Sequence, residues 1–137
     1  MKILIDDADL EKIRDIYGVY SVDGVTTNPT ILAKTGKPPF EILKGIREYI
    51  GQEAELHVQV VAGYAEGMLE DARRILKELG ENTYIKVPVT REGLKAIKAL
   101  KMEGVNVTAT AVYTRMQAFL AGKAGADYTA PYVNRID

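Results

Sequence analysis

The sequence contains no cysteine. That excludes a disulfide scaffold, a thiolate nucleophile and a cysteine zinc site, and it is compatible with a reducing compartment. A single histidine, His57, rules out a multi-histidine metal site. An excess of one charge is missing too. Eighteen basic and nineteen acidic residues give a formal net charge of −1, so a protein that neutralises many phosphates is not expected, nor is nucleic acid as a partner. No apolar run approaches the roughly 18 residues of a membrane span. The start, MKILIDDADL, turns acidic too soon for a secretory signal. A cytoplasmic protein with no membrane partner is therefore expected. What is present is ordinary for a folded chain. The 137 residues, 47% hydrophobic and 27% charged, fit the usual prior of roughly 100–200 residues for a single domain and set disorder aside.

Short β-rich runs alternate with amphipathic stretches. Strands are expected at 2–6, 22–28, 56–61, 83–89, 105–110 and 128–133. Helices are expected from Leu10 to Gly18, over 40–50, 64–79 and 92–102, and from Tyr113 to Lys123. Glycines 18, 51, 80, 104 and 125 each follow a helical pattern, where a residue without Cβ stops a helix in the left-handed conformation. The segment 33–39 (AKTGKPP) reads as a local loop or an irregular helix start. A helix between successive strands leaves room for parallel crossovers and none for hairpins.

Parallel βα repeats allow a (β/α)8 barrel or an open doubly wound sheet. Counting by twos, Leu4 and Asp6 share a face, as do Thr26 and Asn28, His57 and Gln59, Tyr84 and Lys86, and Thr108 and Thr110. Ile3, Ile5, Val58, Val60, Ile85 and Val87 then face the helices. In a barrel the polar residues converge at the mouth, where active sites lie. On an open sheet they would be buried under helices. The barrel is the expected α/β architecture, with about the first five βα units and the sixth strand present. A doubly wound nucleotide-binding domain also lacks its glycine fingerprint, since DDADLEK follows the first strand.

Lys86 stands in the middle of the apolar strand YIKVPV. Such a lysine reaches solvent, pairs with an acid, or loses its proton and becomes an amine able to form a Schiff base. An edge-strand or snorkelling lysine is the simpler alternative. Asp6 could pair with it or cap the next helix, although Asp7 and Asp9 already serve that end. Gln59, Thr110 and Tyr132 could hold a water or donate a proton, or be satisfied core polar groups. His57 reads as structural, and Asn28-Pro29 as a simple turn.

Taken together, GVTTNPT (24–30), IKVPVT (85–90), EGLKAIKALKMEG (92–104), TAVY (110–113) and APYVNRID (130–137) resemble the small transaldolase and fructose-6-phosphate aldolase family of class I aldolases. The resemblance runs from Met1 to Asp137. It implies that Lys86 is the Schiff-base lysine and Asp6 its carboxylate partner. Asn28, with Thr27 beside it, would contact the sugar, and Arg135 would bind the phosphate through its forked donors. Transaldolases usually carry glutamate, asparagine and phenylalanine where this chain has Gln59, Thr110 and Tyr132. The resemblance therefore leans to the aldolase branch, in which the tyrosine and an ordered water move protons.

The implied reaction is reversible cleavage of fructose 6-phosphate into dihydroxyacetone and glyceraldehyde 3-phosphate, with no metal or organic cofactor. Transaldolase activity, the transfer of dihydroxyacetone between sugar phosphates in the pentose phosphate pathway, is the alternative, as is a catalytically silent fragment. A homo-oligomer of stacked rings is also implied. A full (β/α)8 barrel needs about 250 residues, so the expectation is a single incomplete barrel over 1–137 that lacks strands 7 and 8 and the last helices.

Overall fold

The computed structural model describes residues 1–133. The chain divides into two compact units, residues 1–59 with 75–83, and residues 60–74 with 84 onwards.

The first unit holds β1 (Leu4–Asp6), α1 (Leu10–Val19), β2 (Gly24–Thr26), α2 (Pro29–Ala33), α3 (Pro39–Ile50) and β3 (Glu55–Gln59). It also holds the end of α4 (Ala65–Leu79). β1, β2 and β3 are parallel, with Ile5 opposite Val25 and Val25 opposite Leu56. Ile13, Val25, Ile46 and Leu56 are fully buried at its centre. Gly24 lies so close to β3 that a Cβ there would collide with the Glu55 carbonyl. Close strand approach thus requires glycine.

The second unit holds the start of α4, then β4 (Tyr84–Pro88), α5 (Arg91–Met102), β5 (Val107–Val112), α6 (Arg115–Ala124) and β6 (Tyr128–Pro131). Its strands are also parallel and in chain order, with Lys86 opposite Thr108 and Thr108 opposite Tyr128. Ile85, Val87, Ile97, Val107 and Ala109 form its dry core. Ile85 and Val87 lie on one face of β4, the strand that α5 packs against. Among the described residues, no helix is long and apolar enough to cross a membrane.

The expected alternation of strand and helix is present, with several differences of physical interest. α1 runs through Gly18 and ends at Tyr20, whose extended backbone breaks the helix. Gly18 is therefore an interior glycine, tolerated at about 1 kcal/mol. Glycines 51, 80, 104 and 125 do take positive φ after their helices. Asn28 and Pro29, read as a turn, start the short helix α2. Asn28 is its N-cap, and proline suits the first helical turn because its missing N–H has no partner there. β5 begins two residues later than expected because Val105 is used to close α5: its N–H donates to the Leu100 carbonyl at 3.1 Å. Ile3 precedes β1 and is exposed rather than buried under helices.

Candidate active site

In the second unit, Lys86 occupies the centre of β4 and is only 6% exposed. The solvent-edge and snorkelling readings of this lysine do not hold. Its backbone carbonyl accepts from Val60 N–H at 3.1 Å, which fixes the strand at that point. Thr108 and Thr110 on β5 are buried, two residues apart on one face. Such a lysine has lost most of its hydration, and threonine hydroxyls are the main polar groups its neighbouring strand supplies.

The end of β5 is irregular. Between Ala109 and Val112 the pairing with β6 shifts by one residue, and Ala111 has φ 56°. A β-bulge that puts a residue with a Cβ in the left-handed region carries strain of about 1–2 kcal/mol. Beyond it, the rings of Tyr113 and Tyr132 stack at 5.3 Å and 25°. Tyr132 N–H donates to the Val112 carbonyl at 3.4 Å. Thr114 and Gln117 form a capping box at the start of α6. The Gln117 side-chain oxygen accepts from Tyr113 N–H at 2.7 Å, and its amide donates to the Val89 carbonyl at 3.4 Å.

In the first unit, Asp6 ends β1 with its side chain exposed. Capping of α1 belongs to Asp9, whose carboxylate accepts from Glu11 and Lys12 N–H, while Asp7 accepts from Ala8 and Asp9 N–H. Asp6 is therefore released from the capping role. It lines an open depression of about 740 Å³ together with Ile31, Lys34 and Lys37.

Asn28 Oδ1 accepts from Ile31 N–H at 2.8 Å, which orients its amide. Thr27 is fully buried and its hydroxyl donates to the His57 carbonyl at 3.0 Å. That bond ties the β2–α2 turn to β3. Gln59 ends β3, half-buried. Arg135 lies outside the described residues.

Two buried charged groups in this unit, Arg47 and Glu55, have no clear signal in the sequence. Arg47 on α3 is 4% exposed. Its guanidinium donates to the carbonyls of Leu79, Gly51 and Ala54 and to the Thr83 hydroxyl, at 2.8–3.1 Å. Burial pushes its pKa down, partly opposed by Tyr17. It staples the loop after α3 and the end of α4. A basic residue in the last turn of α3 is the only sequence signal, and it reads as a solvated helix end.

Glu55 opens β3 and is buried with His57, whose Nε2 lies 3.0 Å from the Glu55 carboxylate, while Lys2 pairs with the same carboxylate. Burial alone would raise the Glu55 carboxyl. Hydrogen bonds from Lys2 and His57, and their charge, outweigh it and hold the carboxyl below its ordinary range. His57 is thus engaged with Glu55, in keeping with a structural role.

Three comparisons bear on this arrangement. Residues 3–137 match the model of the family described as transaldolase/fructose-6-phosphate aldolase. The whole chain is 47% identical to a probable fructose-6-phosphate aldolase of Streptococcus pneumoniae. It is 44% identical to a probable transaldolase of Aquifex aeolicus and 41% identical to one of Methanococcus maripaludis. In each case it spans 62% of the relative's length. A crystal structure of an enolase from Bradyrhizobium, complexed with magnesium and mandelic acid, superposes with a TM-score of 0.64. That match is 17% identical and covers 96% of this chain and 38% of the other. It carries the fold alone, and the fold is that of a partial parallel (β/α) barrel.

Proposed function

The chain belongs to the transaldolase/fructose-6-phosphate aldolase family, and from that premise we propose that it carries the Schiff-base half of a class I aldolase acting on fructose 6-phosphate. One observation supports this most: a lysine 6% exposed at the middle of β4, in a chain whose relatives are named probable fructose-6-phosphate aldolase and probable transaldolase.

In this reading the Lys86 amine adds to the C2 ketone, and the carbinolamine loses water to a protonated imine. A proton leaves the C4 hydroxyl, the C3–C4 bond breaks, and its electron pair passes into the imine to give an enamine. Glyceraldehyde 3-phosphate departs. Protonation of the enamine at C3 restores the imine, and water releases dihydroxyacetone and the free amine. Asp6 assists proton movement at the carbinolamine stage. Tyr132 or its water moves the proton in bond cleavage, and Gln59 and Thr110 are each able to hold a water or donate a proton. Asn28 holds the sugar hydroxyls and Arg135 the phosphate. No organic cofactor takes part. Homo-oligomeric assembly and a cytoplasmic setting belong to the same reading.

Transaldolase activity is the second reading, favoured by the relatives of that name at 41–44% identity. The test is to give the full chain fructose 6-phosphate without an acceptor and measure free dihydroxyacetone. Its release, lost in Lys86→Met, is the expected result. Turnover only when erythrose 4-phosphate is added would replace aldolase by transaldolase. Turnover under neither condition would mean a silent relative.

A further inference from the structure

The end of β5 combines three features that the reaction sequence above does not use: the left-handed Ala111, the bulge around it, and the stack of Tyr113 on Tyr132. Backbone strain persists only where the surroundings impose it. Here they impose it from both sides. Upstream, Val87 and Ala109 are paired, and Val89 N–H donates to the Thr110 carbonyl at 3.0 Å. Downstream, Gln117 holds the Tyr113 and Thr114 N–H groups at 2.7 and 3.0 Å and reaches back to the Val89 carbonyl.

A regular strand would send residue 113 to the opposite face of the sheet from the one the extra residue gives it. The bulge therefore decides where the Tyr113 ring lies. The ring it meets belongs to Tyr132, which is 41% exposed and follows the last residue of β6. A stacked neighbour restricts the rotamer of so exposed a ring.

We infer that Tyr113 is a positioning residue for Tyr132, aimed by the Ala111 bulge and anchored through Gln117. It touches neither substrate nor reacting atoms; its face sets the direction of the Tyr132 hydroxyl. The inference rests on the role proposed for Tyr132 in proton transfer.

The test uses the full chain with Tyr113→Leu, Tyr113→Phe, Tyr132→Phe and the double variant Tyr113→Leu/Tyr132→Phe, measured for kcat and KM separately. Borohydride trapping of dihydroxyacetone on Lys86 serves as the control for the imine step. Removing a general acid or base costs roughly 10²–10⁴-fold, and misaiming one costs less, so Tyr113→Leu is expected to lower kcat about tenfold. KM and trapping should hold.

Tyr113→Phe keeps the stacked face and restores most of kcat. In the double variant the Tyr113→Leu change adds nothing further, because the hydroxyl that Tyr113 aims is gone. A folded Tyr113→Leu with kcat within about twofold of the parent overturns the inference. So does a loss that multiplies with that of Tyr132→Phe. If Tyr113→Leu does not fold, Tyr113→Gln takes its place under the same criteria. Failure of trapping in the parent chain overturns the function reading itself, which separates the two failures.

Discussion

The two units bury charged groups at different points along their elements. In the β1–β3 unit the buried charges sit at strand starts and helix ends, tied up by neighbours: Glu55 by Lys2 and His57, Arg47 by three carbonyls and a hydroxyl. In the β4–β6 unit the buried amine sits mid-strand between Ile85 and Val87, flanked by threonines, and the backbone ahead of it is strained at Ala111. Charge buried at the N-terminal ends of barrel strands serves stability, and polar groups toward the C-terminal ends serve chemistry. A buried charge is therefore read by its position along the strand, not by burial alone.

The strongest way to break that contrast is Lys86→Met. Activity should fall by roughly 10³-fold or more. The midpoint of urea unfolding should move less than in Arg47→Met, because the four hydrogen bonds of Arg47 are not at stake. A large drop in the midpoint would make Lys86 a structural charge like Arg47.

Arg47→Met is the converse. It orphans the Leu79, Gly51 and Ala54 carbonyls, and the chain should lose about 3–5 kcal/mol in urea unfolding. Whatever folded protein remains should still trap dihydroxyacetone on Lys86.

A pH series sharpens the same point. The Glu55 carboxyl lies below its ordinary value of 4.5 in the fold. Its contribution is therefore complete above about pH 4.5, the value it regains on unfolding, and is lost as pH falls through the lower folded value. Thermal unfolding of Glu55→Gln should show a flatter acid limb than the parent. An unchanged limb would mean that Glu55 carries none of the acid sensitivity.

The smallest effect is expected at Ala111→Gly. Glycine adopts φ 56° without the clash of a Cβ, so stability should rise by about 0.5–1 kcal/mol after its own entropy cost. A fall would mean that the bulge is not strained.

Much of the fold was legible because it depends on local periodicity. The valine and isoleucine alternation placed the strands, and glycines 51, 80, 104 and 125 marked the helix ends. Lys86 stood out as a lysine inside an apolar run. What escaped reading depends on distant partners. Arg47 looks like any basic residue in a last helical turn, and only the fold brings four acceptors to it. The Ala111 bulge has no glycine to announce it. Gln117 carries no sign in its neighbours that it will reach Val89. The short helix α2 was hidden by Asn28-Pro29, which serves equally as a turn opener and as a cap followed by a first helical residue.

The central claim is that Lys86 forms an imine with the sugar. The most direct measurement is the mass of the full chain after borohydride reduction with dihydroxyacetone, followed by peptide mapping. One added three-carbon unit is expected on the peptide containing Lys86, and none in Lys86→Met. A folded, assembled protein that gains no mass, or that gains it on another lysine, would contradict the claim.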